Sequence, residues 1–532
     1  MRRRFLFIAV ALVLALTGGP GLTVGQAIAA SSSAGSHAAL QHRSRVLLVC
    51  NGSTVPCPAI AHARGPYYKT VQAAVNAARP GDWILIYPGV YHEKSKQWPT
   101  AGVWIGTPDL HIRGLNRNSV IIDGSNGPAA HPCPSAAAQQ DFTPRDGIVV
   151  WKASGVTIQN LTVCDYLAGP SGHGNEIWWN GGDGSGKIGL GSYSGSYLTA
   201  TSMYGPKDVH SPNLAQYGIF VSNARGPGSI TRSYASNMAD AAYYVGACQR
   251  QCNATLARDE GINSALGYSG TNAGGRLVIT HSVFEFNRTG LAPNSLNNDD
   301  APPPQDGRCP GSKTRSCMII KDNLVKDNNN ANAPTTGITP AVGAGIELAG
   351  GAFDTVTGNV IVDQGSWGVI AHDYPDPEKP PPGSHCQGGI KNDPAPGYCL
   401  FPARGNKIFG NHFNHVGFFG NQTNSDLATE TLAARTPRNC FYGNIDHSGK
   451  LTSAPAHIQR ASVDGRPCGR RGTGNDVALF EQLICATGFT TCPLPAKDAR
   501  YPKQTRIVIL PLPRLPSMPN PCKGVPRNAF CT

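Results

Sequence analysis

Charged residues make up only 15% of this 532-residue chain, and its 63 glycines and 43 prolines follow no three-residue period. The missing period excludes a collagen-like triple helix. Little charge, with 40% hydrophobic residues, leaves enough apolar surface to bury a core and sets wholesale disorder aside. No histidines stand at ligand spacing beside the cysteines, so zinc lacks the partners it needs. What the chain has in abundance is turns. Gly and Pro together are about a fifth of the residues, with Asn clusters and short apolar runs between them, which argues against a helical bundle and for an all-β fold of many short strands.

The first thirty residues read as an address. Arg2, Arg3 and Arg4 precede an apolar run from Phe5 to Leu16 that is too short to span a bilayer, and Ala27-Ile28-Ala29 supplies small residues for cleavage. The expectation is a signal peptide over 1–30, a polar linker over 31–45, and a secreted protein with no membrane insertion once the signal is removed. No cysteine lies near the cleavage site, which leaves a lipid anchor without its attachment residue. All 16 cysteines follow, an even number in an oxidising compartment. Close pairs (Cys50 and Cys57, Cys248 and Cys252, Cys309 and Cys317, Cys386 and Cys399, Cys485 and Cys492, Cys522 and Cys531) point to local disulfides, with Cys133–Cys164 and Cys440–Cys468 completing eight bridges. The formal charge of +12 fits a protein that meets anionic polysaccharide, teichoic acid or DNA, or one with merely a soluble basic surface; charge alone does not choose. Much of the excess lies in the tail, where Lys497, Arg500, Lys503, Arg506, Arg514, Lys523 and Arg527 face only Asp498.

One segment is more specific. In Tyr68-Lys69-Thr70-Val71-Gln72-Ala73-Ala74-Val75-Asn76-Ala77-Ala78, Thr70 can cap a short helix with Val71, Ala74, Val75 and Ala78 on one face; Pro80-Gly81-Asp82 stops it and Trp83 to Tyr87 is a strand. This stretch, through Pro88-Gly89-Val90-Tyr91-His92-Glu93, resembles the N-terminal cap and first coil of secreted right-handed parallel β-helix proteins of the pectin-lyase-like superfamily. The resemblance implies an all-β right-handed parallel β-helix solenoid with a short N-terminal capping helix and a C-terminal cap region.

Internal repetition supports the same winding. Short strand, turn Asn or Ser, and short strand recur at Val156–Val163, Ser229–Ser233, Leu277–Ser282, Met318–Asn323, Thr355–Asn359 and Lys407–Asn411. A buried turn Asn stacked on the next coil's Asn would satisfy its amide along the solenoid. Gly-apolar strands give the coil length: with inward residues at Ile148, Ile177, Ile219, Tyr243, Leu266, Leu291, Ile346, Val369 and Phe418, uninterrupted coils take about two dozen residues. Longer intervals carry insertions at Gly181–Ser196, Ser295–Arg315 and Tyr374–Arg404. The expected organisation is 46–101 cap and first coil, 102–425 β-helix, and 426–532 C-terminal cap and Pro-rich tail, with Asn475-Asp476 starting a helix through Leu479, Phe480, Leu483 and Ile484.

Residues one and three positions after each inward residue point outward and form two columns. The first reads Val149, Trp178, Phe220, Tyr244, Gly267, Ala292, Glu347, Ile370, Phe419; the second Trp151, Asn180, Ser222, Gly246, Ser269, Asn294, Ala349, His372, Asn421. Trp178, Phe220 and Tyr244 thus form a ladder for the apolar face of a sugar, with Trp151, Asn180 and Asn294 beside it. A register off by one would turn all these rings into core. Glu347 and His372 fall on adjacent coils with Asp373 alongside, a carboxylate and an imidazole able to serve a glycosidic oxygen or a sugar C–H. Asp240 and Arg288 enter from the groove's edge, Arg288 as the neutraliser of a uronate carboxylate. Each also has a plain reading as a solvated or turn-capping residue.

Some patterns are set aside. Asp299, Asp300 and Asp306 among Asn297 and Asn298 offer oxygens that calcium would accept, or form a flexible polar insertion; no metal or other cofactor is assigned. Gly181 to Lys187 looks like a phosphate loop, but Ile188 stands where Ser or Thr is needed. Asn160 and Asn287 lie in glycosylation sequons. Gly172-His173-Gly174 resembles a polygalacturonase motif, yet that family's paired acids and Arg-x-Lys are missing, and no pectate-lyase signature is present. The expected function is a secreted carbohydrate-active protein, a polysaccharide lyase or glycoside hydrolase acting as a monomer on an extracellular, anionic polysaccharide in the groove and not on nucleic acid. The alternative is a non-catalytic glycan-binding or structural cell-surface β-helix.

Overall fold

The computed structural model describes residues 44–59, 67–169, 172–248, 251–297, 317–335, 340–377, 386–431, 438–459, 477–488, 492–493 and 496–531. The expected signal peptide, most of the expected linker, Asp299, Asp300, Asp306, Cys309, Cys468, Asn475 and Asp476 lie outside them.

The chain is a right-handed parallel β-helix. Its strands fall into three long parallel sheets, one of 12 and two of 11 strands, in which neighbours come from successive coils. One sheet forms the groove face: β1 (Ala101–Ile105), β2 (Asp146–Trp151), β3 (Asn175–Asn180), β4 (Tyr217–Ser222), β5 (Ala241–Gly246), β6 (Leu266–Thr271), β7 (Thr289–Asn294), β8 (Ala344–Ala349), β9 (Trp367–His372), β10 (Ser425–Thr429) and β11 (Ser453–Ala454). Inward residues of all three sheets make one continuous core, from Leu47 and Val49 to Phe441 and Ile458. Helix α1 (Val71–Ala77) is capped by the Thr70 side chain, which accepts from the Ala73 N–H at 3.1 Å, and it buries Val71, Ala74 and Val75 in that core.

Register shows where the sequence pattern misled. Ile148, Ile177, Ile219 and Tyr243 pair in line, but Tyr243 then pairs with Tyr268, and Leu266 pairs with Ala241. Leu266 is apolar for another reason: it opens its strand facing outward, against Ala241, Ala292 and Tyr217. Gly267 therefore leaves the first column, Ser269 moves into it and Thr271 takes the second. Likewise Val369 pairs with Leu427, not Phe418. Phe418 lies exposed in a turn, stacked on His415 at 4.7 Å; Phe419 packs on Tyr501, and Asn421 binds the Arg500 backbone. Two further boundaries move. Tyr193–Ser196, read as insertion, is a strand paired with Val156–Gln159, and strands of all three sheets continue past residue 425 to Ala454. The Tyr374–Arg404 insertion carries its own small antiparallel sheet of Tyr374–Asp376, Cys399–Phe401 and Ile390–Lys391.

Six of the expected disulfides are formed: Cys50–Cys57, Cys133–Cys164, Cys248–Cys252, Cys386–Cys399, Cys485–Cys492 and Cys522–Cys531. Cys317 and Cys440 are disulfide-bonded as well. No helix among the described residues is long and apolar enough to cross a membrane.

The turn asparagines stack. Asn323, Asn359, Asn411 and Asn444 each donate one amide hydrogen to the next residue's carbonyl oxygen, ending on Gln459, at 2.9 to 3.0 Å. Each gives its other amide hydrogen to a backbone carbonyl of the preceding coil.

A second device runs along the outside. The tail returns as an extended segment over the solenoid, bound largely through its backbone, with Ser517 and Gln504 adding side-chain hydrogen bonds. Asn237 accepts from Leu510 N–H and donates to its carbonyl (3.0 and 2.9 Å); Asn118 does the same for Leu515 (2.9 and 2.8 Å). Asn263 binds Val508, Asn160 binds Met518, and Arg113 holds the carbonyls of Pro521 and Lys523. Phe530 ends the run between Tyr67 and Tyr87.

Two measurements check these roles. Asn359→Ala leaves buried donors and acceptors of two coils unpaired and lowers urea-unfolding stability by about 3 kcal/mol. Asn118→Ala removes both bonds to Leu515, so hydrogen exchange at that amide accelerates roughly fivefold to thirtyfold, for about 1–2 kcal/mol lost, while core strands keep their protection.

Candidate functional site

The groove face is built by strict pairing of β1 to β10. Its first outward column reads Trp104, Val149, Trp178, Phe220, Tyr244, Ser269, Ala292, Glu347, Ile370 and Ala428. Trp179 belongs to the main core and Trp178 does not, which places the ring ladder outward. Trp178 and Phe220 stack at 5.1 Å with 4° between planes, and both are half-buried. Tyr244 meets Phe220 edge-on at 4.7 Å and is itself buried. Tyr217, not anticipated because it opens its strand ahead of the inward Ile219, adds a third stacked ring at 4.4 Å from Phe220.

Polar groups fix this platform. The Trp178 indole N–H donates to Ser222 Oγ at 3.0 Å, and the Ser222 hydroxyl donates to Asn180 Oδ1. Nearer the N-terminal end, Trp151 lies under Lys152 and edge-on to Trp98, which is 69% exposed.

Glu347 on β8 and His372 on β9 meet, with Oε1 and Nε2 3.0 Å apart. His372 Nδ1 lies 2.9 Å from the Asp373 carbonyl, which only accepts, so Nδ1 carries a hydrogen. Burial alone would depress the imidazole's pKa. The bond and charge of Glu347, the Asp373 carbonyl and the nearby Glu430 carboxylate outweigh it and raise the pKa above the ordinary value. In its protonated form the imidazolium donates from both nitrogens, to Glu347 and to the Asp373 carbonyl. Glu430 was missed because the next groove strand was sought at Phe418; the Leu427-Ala428-Thr429-Glu430 alternation was the available signal. Glu430 also accepts from the Asp373 N–H at 3.2 Å, and Asp373 Oδ1 accepts from the Ala403 N–H at 2.9 Å. Among the described residues, Glu347 Oε2 and Asn294 Oδ1 accept no hydrogen bond. Buried acceptors without donors are rare, and each marks a place for a water or ligand hydroxyl.

Asp240 and Arg288 stand apart from this pair. Asp240 accepts the Tyr217 hydroxyl at 2.6 Å beneath the aromatic platform; burial pushes its carboxyl up to about 7, against the lowering effect of that bond. It is three strands from Glu347, roughly 14 Å. Arg288 is not offered to a uronate: its buried guanidinium donates to the carbonyls of Ala331 (2.7 Å), Thr487 (3.0 Å) and Pro340 (3.4 Å), tying the sheet edge to the C-terminal helix. His173 pairs with Asp146 at 3.1 Å, a second imidazole–carboxylate contact at the sheet edge. Among the described residues, the one trio of metal-type ligands within mutual reach, Asp123 with Cys133 and Cys164, has its sulfurs in a disulfide.

No protein-family model and no curated protein matches the chain. Solved structures do. It is similar to the A-module of mannuronan C-5 epimerase AlgE4 from Azotobacter vinelandii, with 11% identity, a TM-score of 0.40 and coverage of 71% of this chain and 91% of that one. It is similar to pectate lyase Pel9A, with 11% identity, a TM-score of 0.39 and 82% of each chain covered. It is similar to an alginate lyase from Paenibacillus sp. str. FPU-7, with 10% identity, a TM-score of 0.33, and 76% and 97% covered. These likenesses concern the winding of the chain, which the strand register already establishes.

The titrations give a testable pH profile. Folding raises the carboxyls of Asp240 to about 7 and of Glu93 and Asp426 to about 6, mainly through burial, and raises His372 as well. The folded chain therefore holds protons that the unfolded chain releases, and stability falls as pH rises through this window. Asp141 and Asp183 shift the other way, to about 2, under their hydrogen bonds and lysine partners, and they withdraw stability only below about pH 4. Thermal unfolding across pH 3 to 9 is expected to show a maximum near pH 4 and a decline from there to about pH 7, shallower in Asp240→Asn.

Proposed function

We propose that this is a secreted, disulfide-stabilised carbohydrate-active protein that binds an extracellular polysaccharide along the groove face and acts on it as a lyase or glycoside hydrolase. The observation that carries this is the Glu347–His372 pair, set outward on the same sheet as the stacked Trp178 and Phe220, with Glu347 Oε2 unpartnered. Glu347 Oε2 is the atom left for substrate: it takes a proton from a sugar carbon beside a carboxylate, or from an attacking water, and returns it to the glycosidic oxygen. His372, whose two nitrogens are committed to Glu347 and the Asp373 carbonyl, positions that carboxylate and balances its charge. The basic balance of the chain favours an anionic polymer.

A binding-only reading has one observation in its favour: the pair is well buried, with side-chain exposures of 3% for His372 and 12% for Glu347. Glu347→Gln and His372→Ala separate the two. Against a panel of uronate and neutral polysaccharides, both variants are expected to lower turnover at least hundredfold with binding retained, whereas Trp178→Ala weakens binding about tenfold, or about 1.4 kcal/mol. Product masses with water gained identify hydrolysis, and masses without it identify elimination. Saturable binding with no product from the unaltered protein would establish the binding-only reading.

A further inference from the structure

Among the described residues, a helix closes one end of the groove face. Helix α2 (Val477–Thr487) does not lie clear of the groove; it packs onto the outward side of the last strands, with Leu479, Leu483 and Ala486 against Ala344, Trp367, Ile370 and Ala428. Ile370 and Ala428, next in the first column after Glu347, are fully buried beneath it. Gln482 fastens the helix by accepting from the Thr423 N–H and hydroxyl at 2.9 and 2.6 Å. The second column ends the same way, in buried His372 and Glu430. On one flank, the small sheet carrying Tyr374 rises beside His372, tied down through Ala403 and Asp373.

The opposite direction is different. From Glu347 toward the N-terminus, the column runs through Ala292, Ser269 and Tyr244, which among the described residues are buried without a covering helix, to the half-buried rings of Phe220 and Trp178, with the exposed Trp98 beyond. Trp178 is five strands from Glu347, roughly 24 Å. A glycan stacked on the platform and running toward Glu347 would meet α2 one strand beyond it.

Resting on the functional reading above, we infer that the protein takes its glycan by a chain end: the terminal sugar seats at Glu347–His372 against α2, and the rest of the chain trails over Phe220 and Trp178. The chemistry then removes short units from one terminus and does not cut chains internally. A neutral wall of Ile370 and Ala428 selects for a terminus because no further sugar fits beyond it.

The test uses the full-length protein and linear hexasaccharides of galacturonate, mannuronate and xylose. Each is free, or carries streptavidin through biotin at its reducing end, or carries it at its non-reducing end. Affinity is expected to fall at least tenfold when one particular end is blocked and to stay within twofold when the other is. Equal affinity for the two blocked forms would mean that the chain passes through the groove; it overturns this inference and leaves glycan recognition standing. Failure of every form to bind folded protein overturns groove recognition and this inference with it. On polymers that are turned over, short products are expected from the first time points while viscosity declines slowly. A rapid viscosity drop with mixed product sizes overturns the chain-end mode alone.

Discussion

In-register parallel pairing between coils is the constraint on which every other feature depends. Each strand's neighbours belong to the coils before and after it, so a side chain at a given strand position finds its equivalent about 4.8 Å away on either side. Once the register is set, inward positions fuse into a single core, turn positions become ladders, and outward positions become files of chosen chemistry. The asparagine files show how strong the constraint is. An amide can meet both the next amide and a backbone carbonyl only at one vertical and rotational offset, so each Asn step reinforces the alignment that created it.

The groove inherits its character from that alignment. Trp178 and Phe220 become parallel because their Cα positions are paired, and Glu347 and His372 become neighbours because they stand diagonally on paired strands. Around this, three non-repeating pieces give the face its polarity: the Tyr374 hairpin, helix α2, and the Arg288 guanidinium that anchors the helix end. A solenoid alone would offer an endless track. The additions convert part of it into a place.

Much of the winding was legible in the sequence, because turn asparagines, Gly-apolar strands and the capped Val71–Ala77 helix each have a local cause. The outward placement of Trp178, and the meeting of Glu347 with His372, followed from counting. What escaped has physical reasons. Leu266 and Phe418 are apolar at positions that face other apolar side chains outside the core, and period-2 counting cannot tell one apolar destination from another. Glu430 was lost with the strand that carries it. Tyr217 sits where the alternation breaks, ahead of an inward glycine. The unavailability of Arg288 depends on carbonyls from Ala331 and Thr487, residues that no local pattern links to it. That α2 would lie on the groove face was equally invisible, since an amphipathic helix announces that it packs but not against what.

The returning tail alters the mechanics of the whole. A linear stack of coils can peel from either terminus, each coil held only by the one beneath it. Here Leu510, Leu515 and Met518 are bound to turns in different coils, and Phe530 is wedged against the first of them. The two extremities of the rod are thereby mechanically joined. Loosening one loosens the other, so an array that would otherwise fray step by step is drawn toward a single, all-or-none transition.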